Sequence, residues 1–252
     1  MTCDDLLGGG WRRLRSGALL LILGCHHAPE VPLPPAALDE AQAGARLMAA
    51  PMGLLRLDSP PTARDTAVIA VHGYQSEGSE WVGPLATMAT WGTELYFYRW
   101  SWEQCPGTAV AEMDAALDAL VAAEPTLQHL VVVGHSYGGL ITAMWGQTQS
   151  AGRPAQLELI AAPLAGVDRL QKRCPGEGLS AAPPSAGNTW RQWRTVHEAD
   201  GAFRDMPTDP QRVELPGLEV VQLPATWEGG RLGHNRSIQW VTAELGGGYA
   251  VP

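Results

Sequence analysis

Ser136 is the side chain best placed to act as a nucleophile. It stands at the centre of Gly134-His135-Ser136-Tyr137-Gly138. The apolar run His129–Val133 before it reads as a buried strand, and Tyr137 to about Gln149 reads as a helix that follows without a gap. A nucleophile needs a sharp strand-to-helix turn of this kind, because the turn lifts its side chain clear of the sheet edge. The flanking glycines permit that strained backbone without Cβ clashes, and Gly139 allows further close packing. The helix N-terminus also directs free backbone N–H groups at developing negative charge. The chemistry this arrangement serves is nucleophilic attack with a covalent intermediate. The pentapeptide gains its specificity from the strand–turn–helix setting, since the bare pattern also occurs as a simple turn.

The elements that must position Ser136 are legible as alternating apolar runs and helical stretches. Strands are predicted at Leu54–Leu57, Thr66–Val71, Leu95–Trp100, His129–Val133, Leu157–Ala162, Gln192–His197 and Leu218–Leu223. Helices are predicted over Thr108–Glu124, where Val110, Met113, Leu117 and Leu120 recur at helical spacing, and over Arg236–Leu245, which stops at a glycine run. Alternation of β and α with uniformly apolar central strands implies a mostly parallel sheet covered on both faces. Cys174–Asn188 is rich in Pro, Gly, Ser and Ala and reads as a long loop.

With these residues in place, the chain resembles the α/β-hydrolase superfamily in its lipase and esterase part, over roughly residues 54–246. A second motif carries the same resemblance: His72-Gly73-Tyr74 at the end of strand 66–71, with Trp81 nine residues after the histidine, is similar to the His-Gly oxyanion loop of lipases. The resemblance implies the α/β-hydrolase fold, a mostly parallel central sheet with helices on both faces, and minimal or no cap domain, because Pro163–Arg191 is short and has no long amphipathic helix. It implies an oxyanion hole from the Tyr74 and Tyr137 N–H groups, each such donor contributing about 3–4 kcal/mol to transition-state binding. His72 then shapes the loop. The family's chain order of nucleophile, acid and histidine points to His234, after the last strand and before the last helix. The acid is expected after the penultimate strand: Asp200 first, then Asp205, Glu198 and Asp209. Trp81, Trp100, Trp102 and Trp145 are either core or an acyl-binding surface.

The N-terminus reads as a targeting segment. Arg12, Arg13 and Arg15 precede the apolar run Ala18–Leu23, and Ile22-Leu23-Gly24-Cys25 resembles a bacterial lipobox. The expected organisation is a lipoprotein signal peptide at 1–24, a lipidated Cys25 with a Pro-rich tether over 25–53, and the hydrolase domain at 54–252. The other reading of the first segment is a buried helix with an incidental cysteine. Cys105 and Cys174 remain as an even pair in an exported chain, a disulfide candidate or two free thiols. In the implied fold both follow strands at the carboxyl edge, about 14 Å apart by strand count. Export would leave the protein lipid-anchored to a bacterial membrane.

Composition narrows the functions further. The formal net charge is −9, with 16 Arg and one Lys, Lys172, which disfavours nucleic-acid binding by bulk electrostatics. No pattern for a metal or a cofactor is present. The expected activity is a serine hydrolase cleaving carboxylic esters of a lipid-like or other small molecule, through Ser136, His234 and Asp200. The same triad serves a thioesterase or peptidase, and an idle hydrolase fold used as a surface binding module is the rival from another class.

Overall fold

The computed structural model describes residues 28–249 apart from 35–37, 60, 62, 64, 150 and 151. The signal segment expected over 1–24 and Cys25, the expected lipidation site, lie outside the described residues. The elements run β1 (Glu30–Pro32), α1 (Glu40–Ala49), β2 (Gly53–Asp58), β3 (Thr66–Val71), α2 (Ser79–Met88), β4 (Glu94–Arg99), α3 (Pro106–Ala123) and β5 (His129–His135). They continue with α4 (Tyr137–Thr148), β6 (Ala155–Ile160), α5 (Asp168–Arg173), β7 (Thr189–Arg194), β8 (Leu218–Gln222), the two-residue strands β9 (Thr226–Trp227) and β10 (Gly230–Arg231), and α6 (Gly233–Tyr249).

Eight strands form one sheet in the order β1-β2-β4-β3-β5-β6-β7-β8. From β4 to β8 in that order every pairing is parallel, whereas β2 runs antiparallel to β4 and β1 runs parallel to β2. The period of two in the central strands explains the layering. Ile69, Val132 and Leu159 point to one face and pack with Met113 and Leu117 of α3 and Ile141 of α4. Val68, Val133 and Ile160 point to the other and pack with Trp81 and Leu85 of α2 and Ile238 and Val241 of α6. Fully burying a side chain of this size contributes roughly 1.5–3 kcal/mol, so the two layers hold the sheet rigid beneath the site. The chain winds outward from β3 to β4 and then crosses back to β5 on the other side of β3. The carboxyl ends of β3 and β5 therefore flank the switch point at which open α/β sheets bind ligands.

The structure departs from the sequence expectation in several places. The tether expected over 25–53 is in part folded: β1 pairs with β2, and α1 buries Ala43, Gly44 and Leu47. Pro84 lies inside α2 and breaks the pattern by which a helix is read. The strand expected at 192–197 occupies Thr189–Arg194, three residues earlier. Its arginines disguise it, yet Arg191 meets Glu158 of β6 at 3.5 Å and Glu219 of β8 at 2.9 Å. The strand expected at 157–162 ends at Ile160, because Ala161 turns to φ 46°. His234, expected on a loop, belongs to the first turn of α6.

Candidate active site

Ser136 joins β5 to α4 at φ 54°, ψ −124°, a conformation that strains any residue bearing a Cβ. Close packing enforces it. The Ser136 N–H donates to Ile160 O at 2.9 Å, and the Ser136 carbonyl accepts from the Leu140 N–H at 3.2 Å. A Cβ on Gly138 would lie 2.3 Å from His72 O and 2.6 Å from Val71 O, so the start of α4 rests directly on the end of β3. A Cβ on Gly73 would lie 2.9 Å from the Ser136 Cβ, which brings the loop carrying Tyr74 against the Ser136 turn. Tyr137 is the first residue of α4, where a backbone N–H has no partner within the helix.

His72 is a scaffold for that loop. The Trp100 N–H donates to its Nε2 at 3.2 Å, so Nε2 is the acceptor nitrogen and Nδ1 carries the proton, which it gives to Gly73 O at 3.0 Å. The Trp100 indole N–H closes the arrangement on His72 O at 2.9 Å. Burial pushes the His72 pKa down to about 4, so the ring is neutral at ordinary pH.

Asp200 and His234 meet across 34 residues of chain. His234 Nδ1 lies 2.9 Å from Asp200 Oδ2, with the carboxylate fully buried and the imidazole 13% exposed. Asp200 Oδ1 accepts the N–H groups of Ala202 at 2.8 Å and Phe203 at 3.2 Å, and Oδ2 also accepts the Thr195 hydroxyl. Burial by itself would raise this carboxyl, but the bonds from His234, Thr195 and Ala202 outweigh it and hold it below its ordinary value. The imidazole is clamped between the Phe203 ring at 4.8 Å and the His135 ring at 4.6 Å. His135 Nε2 donates to the His234 carbonyl at 3.3 Å, and burial keeps that ring neutral.

The other candidate acids stand elsewhere. Asp205 is 91% exposed and pairs with Arg204, Asp209 pairs with Arg212 at 3.6 Å, and Glu198 is exposed. Sequence reasoning passed over Thr195, Phe203 and Gln211. The Gln211 side chain is buried, accepts the Thr195 N–H at 2.9 Å and so steadies the strand end that holds Asp200. No periodicity marks such residues, because their role is set by partners distant in the chain.

Ser136, His234, Tyr74 and Tyr137 line one cavity of about 600 Å³. Its remaining wall comes from the loop after β6 and α5, including Pro163, Val167 and Leu170, and from the 202–210 segment, including Phe203 and Met206. Trp81, Trp100 and Trp145 are core residues, and none of the four tryptophans considered above lines this cavity.

Cys105, at the start of α3, is bonded to Cys174, just after α5. The bridge ties the cavity wall to the carboxyl edge of β4. Closing a loop of 69 residues constrains the unfolded chain by roughly 4 kcal/mol in the chain-entropy model. The Cys105→Ser/Cys174→Ser variant is therefore expected to lose about 2–4 kcal/mol in a urea titration. Reduction of the native protein should reproduce the loss, and an unchanged midpoint in both would show that the bridge does not hold this wall.

No family model matches this chain, and no curated protein matches it. Solved structures do. An esterase from the planctomycete Thermogutta terrifontis, solved with propionate bound, is 18% identical, covers 77% of this chain and 88% of its own, and superposes with a TM-score of 0.50. A protein from Agrobacterium vitis S4 assigned as a hydrolase is 13% identical, covers 76% of this chain and 91% of its own, with a TM-score of 0.51. Strand order, the helical layers and these superpositions define the chain as having the α/β-hydrolase fold.

Proposed function

We propose that this protein is a serine hydrolase of carboxylic esters. The observation that carries the reading is the buried Asp200 carboxylate 2.9 Å from His234 Nδ1, with His234 and a strained Ser136 lining the same cavity. In the proposed reaction Ser136 Oγ attacks the ester carbonyl while His234 Nε2 takes its proton. The tetrahedral oxyanion is held by the Tyr74 and Tyr137 N–H groups. His234 then returns the proton to the leaving alkoxide, which departs as the alcohol. Water, deprotonated by the same imidazole, releases the acid from the acyl-enzyme. Asp200 keeps Nδ1 protonated and stabilises the imidazolium without taking its proton.

The apolar part of the cavity wall, from Pro163, Val167, Leu170, Phe203 and Met206, supports an acyl chain as its occupant. The Thermogutta terrifontis esterase has been solved with propionate and with butyrate bound, and short acyl groups are accordingly the first to try here. Export with lipid attachment at Cys25 belongs to the same proposal. The Cys105–Cys174 bond supports it, since disulfides persist in oxidising compartments.

The test is labelling with a fluorophosphonate, followed by peptide mapping and by 4-nitrophenyl esters of graded chain length. A label on the peptide containing Ser136 together with ester turnover is the expected result. A folded protein that neither labels nor turns over any ester would instead favour the idle binding module.

A further inference from the structure

The cavity that holds Ser136 and His234 is also lined by three of the four charged residues of α5, namely Asp168, Arg169 and Arg173. Arg169 and Arg173 are four residues apart and therefore share one side of that helix. Both are held in place by uncharged partners. The Arg169 guanidinium carbon lies 5.0 Å from the centroid of the Tyr74 ring, and Tyr74 packs edge-on against Trp102 at 4.8 Å. Arg173 donates through one terminal nitrogen to Trp102 O at 3.4 Å and Gln104 O at 3.2 Å.

These contacts restrict the two side chains without neutralising them. Among the described residues neither arginine has a carboxylate within ion-pair distance. Glu177, the carboxylate next along the chain, accepts the Gly107 N–H at 2.6 Å and does not line the cavity. In a chain of net charge −9, two cations against one anion thus line the cavity that holds Ser136. Tyr74, which holds Arg169, also belongs to the loop pressed against Ser136. Both guanidinium groups therefore share one cavity with Ser136.

We propose that Arg169 and Arg173 form an anion subsite, and that the preferred substrate is an ester with a carboxylate or phosphate beyond the scissile carbonyl. The apolar wall of Val167, Leu170, Phe203 and Met206 takes the methylene spacer, and the planar guanidinium forks take the anionic oxygens. Asp168 lines the same cavity and offsets part of this charge. The inference names the substrate class for the hydrolase reading above and rests on it.

Binding separates the two ideas, because it needs no turnover. Calorimetry on the full chain carrying Ser136→Ala would compare methyl hexanoate, monomethyl adipate and the methyl ester of 6-phosphonooxyhexanoic acid. An anionic ligand is expected to bind about tenfold tighter than the neutral one at low salt, with the advantage shrinking at high salt. Tighter binding of the adipate assigns a carboxylate, and tighter binding of the phosphate ligand assigns a phosphate. In Arg169→Gln/Arg173→Gln the advantage should collapse to about twofold or less, and Arg169→Lys/Arg173→Lys should recover part of it. Equal affinities in the Ser136→Ala protein, or an advantage that survives both glutamines, overturn the proposal. Absence of fluorophosphonate labelling in the wild type bears on the hydrolase reading alone.

Discussion

Ser136→Ala is expected to lower kcat for 4-nitrophenyl esters by about 10⁶-fold and to leave the fold intact. Alanine keeps the Cβ and removes only the nucleophilic oxygen. The backbone at φ 54°, ψ −124° is strained for serine and alanine alike, so their urea midpoints should coincide. Ser136→Gly separates strain from chemistry, because glycine adopts this conformation without the Cβ clash. It should be equally inactive and about 1 kcal/mol more stable. A faint rate above the uncatalysed one is expected in both, since the proposed oxyanion donors and the cavity are untouched. Activity within about 10²-fold of wild type would mean that another group attacks the ester and would remove Ser136 from the mechanism.

Asp200→Asn should lower kcat by about 10³–10⁴-fold with little change in KM. The hydrogen bonds around the carboxylate decide how an amide would sit. Oδ1 accepts two backbone N–H groups, from Ala202 and Phe203, so the single amide oxygen must stay on that side. The amide NH₂ then faces His234 Nδ1, which must become an acceptor. The imidazole proton moves to Nε2, the nitrogen needed as the base, and kcat falls for want of the right tautomer.

The same variant has a signature in acid. Asp200 is held below the ordinary carboxyl value of 3.8. Its ionised form therefore stabilises the fold above that pH, and the contribution is lost as pH falls through the folded-state value. Urea midpoints measured from about pH 5 to pH 2 should fall less steeply for Asp200→Asn than for wild type. Wild-type turnover in Asp200→Asn, joined to a large loss in Asp205→Asn, would move the acid to Asp205.

Much of the architecture was legible because short-range sterics and hydrophobic periodicity act along the chain. The apolar runs at 66–71 and 129–133 read as buried strands, and the glycines around Ser136 mark a turn that other residues would clash in. Elements were misjudged where long-range partners overrule local pattern. Arg191 belongs in a strand because Glu158 and Glu219 lie on the neighbouring strands, and Glu30–Pro32 is a strand because β2 offers it an edge. The position of the last helix was visible in outline, but not that it begins at Gly233 and carries His234 in its first turn.

The candidate site divides the same way. Residue types and chain order marked a serine turn, a His-Gly loop after strand 66–71 and a late histidine, and narrowed the candidate acid to a short stretch. Only the tertiary structure sets Asp200 at 2.9 Å from His234 while leaving Asp205 in solvent. Only it joins Cys105 to Cys174 and turns Arg169 and Arg173 of a six-residue helix toward the cavity of Ser136. Distances between residues tens of positions apart arise from how the layers pack. Periodicity is a property of neighbours and does not encode them.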